Sequence, residues 1–207
     1  MPVLLPNKLS LDKILQVVDV QARAFQDDPL WVYLIPNPEK RAKMLKRFFV
    51  PVFDVAIRSG QAYSFGDPIA GVCVWSMPSD NPSFSVVLPA IPRFFGLLVS
   101  PFILQFGKAL PIFSKFGAMK KQYATKPYYY LNTISVAPEA QGRGVASKLI
   151  KPFLTKADEE GANVYTETIT PENVSLYVHY GFEVMEEYPV PNTDLRLWSF
   201  YRRAKTG

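Results

Sequence analysis

Tyr128-Tyr129-Tyr130-Leu131-Asn132-Thr133-Ile134-Ser135-Val136, then Ala137-Pro138-Glu139-Ala140, then Gln141-Gly142-Arg143-Gly144-Val145-Ala146 and a helical pattern reaching Ala157: this run decides the fold. Its first nine residues are rich in aromatic and β-branched side chains, which suits a strand. The next four make a turn. Beyond it, Val145, Leu149, Phe153 and Ala157 recur at the spacing of one buried helix face, with Pro152 expected to bend the helix. A strand thus delivers a loop, and the loop opens a helix. The first amides of such a helix are unpaired and lie at the positive end of its dipole, so they suit a phosphate. Gly142 and Gly144 carry no side chain that would hold a pyrophosphate away from those amides.

The rest of the chain sets the bounds. Its 207 residues suffice for a sizeable core, and no linker or repeat divides residues 1–207, so a single domain is expected. The net charge of +5 is spread out, without a dense basic run or basic-aromatic platform. An anionic small ligand fits that charge better than nucleic acid does. The lone Cys73 can form no internal disulfide, and a reducing, cytoplasmic location is expected. With His179 the only histidine, a zinc site on these ligand types is not expected. The start, Met1 to Pro6, lacks the basic and long apolar regions of a signal peptide. The most apolar stretch, Val86 to Phe106, is interrupted by Pro89, Pro92, Arg93 and Pro101, so a membrane span is not expected.

In chain order, Leu4-Leu5 reads as a short first strand and Ser10 as the N-cap of a helix through Ala22. Asp27-Asp28-Pro29 ends that helix, and Leu30 to Tyr33 reads as an aromatic connection. Asn37-Pro38 starts a second helix that holds Pro51 and stops at Gly60. Gln61 to Phe65 and Ile69 to Ser76 form a hairpin about Gly66-Asp67-Pro68. Ser79 to Ala124 reads as helices broken by proline and glycine. Its phenylalanines (84, 94, 95, 102, 106, 113 and 116) serve either the core or a substrate-pocket wall. Ala162 to Thr168 is a strand, Pro171 to Gly181 a helix with its stop, Phe182 to Glu187 and Asp194 to Tyr201 closing strands, and Arg202 to Gly207 a frayed tail.

The glycine loop is not a Walker loop, because no Gly-Lys-Ser/Thr comes after it. Ser147 stands where a dinucleotide-binding fingerprint needs its third glycine, and a four-residue turn separates strand from loop. Instead, Gln141-x-x-Gly144-x-Ala146 after Val136-Ala137-Pro138 resembles the acyl-CoA signature of the GNAT superfamily of N-acetyltransferases. Asn173-Val174-Ser175-Leu176-Tyr177-Val178-His179-Tyr180-Gly181-Phe182 resembles that superfamily's second block. Ala24 to Pro29, Val74 to Pro78 and Glu167-Thr168 look like stretches of the puromycin N-acetyltransferase group within it.

The resemblance implies an α/β fold: a mixed, mostly antiparallel sheet of six or seven strands flanked by helices, with residues 79–124 as a helical insertion before the central strand. It implies acetyl-CoA as co-substrate, no metal, and transfer of the acetyl group to the amine of a small molecule by direct attack in a ternary complex. A CoA-binding regulatory module without turnover and a protein N-acetyltransferase are the other readings. A homodimer is left open. The pantetheine arm would bond the backbone of Ile134 and Val136, with an oxyanion donor at Ser135 or Val136. The pyrophosphate would lie on Gln141, Gly142, Arg143, Gly144, Val145, Ala146 and Ser147, with Asn173 as a helix N-cap, a CoA contact, or both. Arg143, Lys148 and Lys151 either attract the phosphates or form a solvated helix face. Tyr177 would protonate the leaving thiolate. Glu167, alternating with Thr166 and Thr168, is a candidate base or a structural anchor. His179 faces away from Tyr177 on helical geometry, and Cys73 lies too early for an acyl-enzyme. Trp31, Tyr33 and Trp75 match aromatic stretches on the acceptor side, or serve the core.

Overall fold

The computed structural model describes residues 6–80, 88–92 and 103–205. The suggested strand at Leu4-Leu5, most of the apolar stretch from Val86, and the phenylalanines at 84, 94, 95 and 102 lie outside the described residues, as does the side chain of Phe106. Seven strands form one sheet in the order β1-β2-β3-β4-β5-β7-β6. They are β1 Asn7–Lys8, β2 Ala62–Phe65, β3 Gly71–Ser76, β4 Tyr128–Val136, β5 Asn163–Thr168, β6 Glu183–Pro189 and β7 Arg196–Arg202. All neighbours are antiparallel except β4 and β5. The helices are α1 Ile14–Ala24, α2 Pro29–Leu34, α3 Pro38–Arg58, α4 Ile103–Tyr123, α5 Val145–Glu159 and α6 Glu172–His179.

Alternation along β3 sorts the two layers. Val72 and Val74 join the cluster built with α1 and α3, while Cys73 and Trp75 join the one built with α5. The face of α5 is the expected one: Val145, Leu149, Phe153 and Ala157 are all buried, and burying residues such as Leu149 and Phe153 contributes roughly 1.5–3 kcal/mol each.

Four expectations need correction. Leu30 to Leu34 is a helix, not a connection, because Asp28 caps it: its carboxylate accepts from the Leu30 and Trp31 amides at 3.1 and 3.4 Å, with Pro29 at the first position. The later part of the insertion is one 21-residue helix that carries Pro111 inside it. Ser10 precedes a short 3-10 turn, Leu11–Lys13, that leads into α1, and its side chain makes no capping hydrogen bond. The tail is anchored through Lys205. Arg202 extends β7 and donates to both carboxylate oxygens of Asp158 at 2.8 and 2.7 Å, and the Lys205 amide donates to the same carboxylate at 2.8 Å.

Candidate active site

Parallel pairing of β4 with β5 runs from Tyr128↔Asn163 to Leu131↔Thr166 and stops there. The cause sits at the next residue. On the other side of β4, Trp75 pairs with Leu131 and Val74 with Thr133, so Asn132 is an extra residue with no partner opposite. A bulge of this kind bends a strand and re-aims the residues beyond it. The Asn132 amide group secures the bulge by donating to Ser76 Oγ at 2.8 Å and to the Tyr130 carbonyl at 3.2 Å. Past the bulge, Ala137 N–H donates to the Ala70 carbonyl at 2.8 Å. Ladder alternation then turns the backbone groups of Thr133 and Ser135 toward β3, and those of Ile134 and Val136 toward the gap left by β5. Ser135 is therefore a poor source of an oxyanion amide. Its hydroxyl is also committed, donating to Gln21 Oε1 at 2.7 Å, while Gln21 Nε2 donates to Thr133 Oγ1 at 2.8 Å. The wholly buried Gln21 thus staples α1 to this half of β4.

The loop between β4 and α5 takes its shape from two glycines. Gly142 and Gly144 have φ of +73° and +75°, and a Cβ on either would meet nothing within 4 Å. Backbone conformation, rather than space, calls for glycine here. Gly144 is the residue before α5. Ser147, in the first turn of α5, shares a 2.7 Å hydrogen bond with the Tyr180 hydroxyl just past α6. Gln141 Nε2 reaches the Val136 carbonyl at 3.4 Å. Arg143, Lys148 and Lys151 are exposed.

Two cavities meet at the gap. One, of about 370 Å³, is lined by Ile134, Ser135, Val136, Gln141, Ala146 and Asn173 among others. The second, of about 640 Å³, is walled by Phe25 just past α1, by Trp31, Phe48, Phe49 and Val52 from α2 and α3, and by Phe113, Phe116 and Lys120 from α4. Phe25, Asp28, Ile134, Thr170 and Asn173 line both. Asp28 fixes this shared rim, since its second oxygen accepts from Thr170 Oγ1 at 3.0 Å.

Glu167 and Tyr177 enter the larger cavity from opposite faces of the sheet. Glu167 pairs with Ser199, whereas its neighbour Thr166 pairs with Phe200, whose ring lies 5.0 Å from that of Tyr177. On its own face Glu167 accepts a 2.8 Å hydrogen bond from the Tyr130 hydroxyl. Burial pushes the Glu167 pKa up, against the opposing pull of that bond. Tyr130 is raised well above its ordinary value by burial and then by the Glu167 charge. Lys120 holds its ammonium 3.5 Å from the centre of the Tyr130 ring, and burial lowers its pKa. Tyr177 is 3% exposed, and burial pushes its phenol up to about 12.

Trp31 lines the larger cavity. Trp75 does not: it points to the α5 side of β3 and stacks on Phe153 at 4.8 Å, so it leaves the acceptor set. Tyr33 lines neither cavity and packs against the core beside Lys108. Asn173 is not an N-cap. Pro171 holds that position, and the Asn173 side chain donates to Thr168 Oγ1 at 3.3 Å, tying α6 to β5. His179 is exposed. Cys73 is fully buried with its thiol pushed up by burial, which leaves no thiolate nucleophile there. Sequence reasoning passed over Gln21, Lys120, Tyr130 and Asn132. Asp28-Pro29, read from the sequence as a helix end, carries the cap-then-proline signal of a helix start.

No described helix is long and apolar enough to cross a membrane. Residues 113–182, which run from within α4 through the loop and α6, match the Acetyltransferase (GNAT) family. An uncharacterised N-acetyltransferase of Schizosaccharomyces pombe is 29% identical over 164 residues, covering 77% of this chain and 66% of that protein, just under two thirds of its length. Among solved structures, the histone acetyltransferase HPA2 and related acetyltransferase of Corynebacterium glutamicum has a TM-score of 0.63 at 20% identity, covering 99% of each chain. The Drosophila melanogaster polyamine N-acetyltransferase has a TM-score of 0.62 at 12% identity, covering 95% of this chain and 98% of that one. At these identities the two structures establish the fold. The family match over residues 113–182, which hold the loop and α6, falls within that shared fold.

Proposed function

We propose that the chain transfers an acetyl group from acetyl-CoA to the amine of a small, largely apolar molecule, by direct attack with both substrates bound. The observation that carries this reading is the gap beyond Leu131. It joins a cleft along β4 and the glycine loop to an aromatic cavity, with a carboxylate and a phenol facing in from opposite sides. The cleft suits acetyl-CoA. Its strand backbone is turned outward at Ile134 and Val136, and its loop amides lead into a helix start. Exposed Arg143 and Lys148 stand beside that loop for the phosphates.

On this reading the neutral amine enters the larger cavity and, as its nitrogen bonds to the thioester carbon, its proton passes to Glu167, directly or through a water. Burial makes Glu167 a stronger base than an exposed carboxylate. The amine nitrogen attacks the thioester carbonyl carbon, and an amide turned into the gap at Val136 or Ile134 stabilises the oxyanion. As the C–S bond breaks, Tyr177 donates its proton to the departing sulfur. A phenol pushed up to about 12 remains protonated throughout the working range. The Drosophila neighbour is a polyamine acetyltransferase; the aromatic walls here favour a less polar amine.

Initial-rate kinetics test the scheme. Intersecting double-reciprocal lines are expected, and parallel lines would point to an acyl-enzyme instead. Tyr177→Phe is expected to lower kcat by roughly 10–100-fold, with acetyl-CoA affinity held within about twofold. An unchanged kcat would remove Tyr177 as the acid.

A further inference from the structure

The larger cavity contains one feature that transfer to a simple amine does not use. Lys120 reaches it from α4, against the face of Tyr130. Among the described residues its ammonium has no hydrogen-bond acceptor and no ion pair. Its contacts are the Tyr130 ring, at 3.5 Å, and the attraction of Glu167, which accepts from the Tyr130 hydroxyl. Lys120 is half-buried, and a partly desolvated cation without an acceptor gains from a ligand that supplies one. It also sits badly with a polyamine, whose second cation it would repel.

Resting on the acetyl-transfer reading, we propose that the acceptor is an α-amino acid with a large apolar side chain and a free carboxylate, and that Lys120 is the residue that selects it. The three parts of such a molecule match three parts of the cavity. The amine goes to Glu167. The carboxylate, one carbon away, goes to Lys120, and the Tyr130 phenol touches both Lys120 and Glu167. The side chain lies among Phe25, Trp31, Phe48, Phe113 and Phe116. Lys120 has a second effect on the same molecule. A neighbouring positive charge disfavours the protonated amine, so the nucleophilic form is favoured beside Glu167.

The test compares matched pairs that differ only in the carboxylate: phenylalanine with phenethylamine, and tryptophan with tryptamine. Binding to the full chain is measured by calorimetry, and kcat/KM by release of free CoA thiol. The amino acid is expected to exceed its amine by about tenfold or more in both. Lys120→Met should collapse that ratio to about one, and Lys120→Arg should restore most of it. Equal binding within each pair, or a preference that survives in Lys120→Met, would overturn the assignment. Thiol release decides the parent reading separately. Its absence with every acceptor, while calorimetry still ranks phenylalanine above phenethylamine, would defeat acetyl transfer and leave the carboxylate site standing.

Discussion

At the scale of single residues, the proposed chemistry turns on one hydrogen bond. The Tyr130 hydroxyl donates to Glu167 at 2.8 Å and stabilises the ionised carboxylate against the burial that would neutralise it. Removing that donor raises the Glu167 pKa further. Because Glu167 must be ionised to take a proton, the acid limb of the kcat–pH profile is expected to move to higher pH in Tyr130→Phe. A limb that stays put, or moves down, would take Glu167 out of the base role. No alkaline limb from Tyr177 should appear in the working range, since its phenol is pushed up to about 12. Glu167 and Tyr177 could be named from the sequence because each sits inside a motif block or a strand end of fixed register. Tyr130 and Lys120 could not. Tyr130 is one of three consecutive tyrosines, and which of them meets Glu167 depends on the parallel register of β4 and β5. Lys120 is one of several lysines on α4, and only the docking of that helix singles it out.

At the scale of elements, the proposed donor cleft depends on how closely α5 approaches the sheet. Gly71 on β3 permits that approach: a Cβ there would lie 2.7 Å from Val145 Cγ1, 3.0 Å from Leu149 Cδ1 and 3.0 Å from the Ser135 carbonyl. Gly71→Ala is expected to cost about 1–3 kcal/mol in urea unfolding and, by displacing Val145, to weaken acetyl-CoA binding. Gly144→Ala is the contrasting case. It meets no atom within 4 Å, so only its positive φ opposes the substitution, at roughly 1–2 kcal/mol. If Gly71→Ala leaves both stability and binding unchanged, the packing account of the cleft is wrong. The strand–loop–helix was readable because composition, turn residues and the Val145-Leu149-Phe153-Ala157 spacing agree there. The bulge at Asn132 was not readable. Nothing in Leu131-Asn132-Thr133 marks an extra residue, which is defined only by its partners on β3. The same limit explains Trp75. Its motif neighbourhood pointed to the acceptor, but the alternation of β3 turns it under α5.

At the scale of the whole molecule, the Arg202–Asp158 pair ties β7 to α5. Burial raises the Asp158 pKa, but the Arg202 bonds and the Lys205 amide outweigh it and hold the carboxyl below its ordinary value of 3.8. A folded-state pKa below the unfolded one contributes stability above the unfolded value, and that contribution is lost as pH falls through the folded one. Between about pH 5 and pH 2.5 the wild type should therefore lose more of its melting temperature than Asp158→Asn does. Parallel losses in the two proteins would show that the pair adds nothing. The seven-stranded sheet sets these parts in one frame, with the proposed donor cleft along β4 and the proposed acceptor cavity beyond the gap. The central claim is that the two are used together to move an acetyl group, and it is tested most directly by tracking free CoA thiol and acetylated product in one vessel. With acetyl-CoA and a large apolar amine or amino acid, thiol and N-acetyl product should appear in equal amounts, and only when the acceptor is present. Acetyl-CoA binding without acceptor-dependent thiol release, across apolar amines, polyamines, amino acids and peptides, would contradict the account.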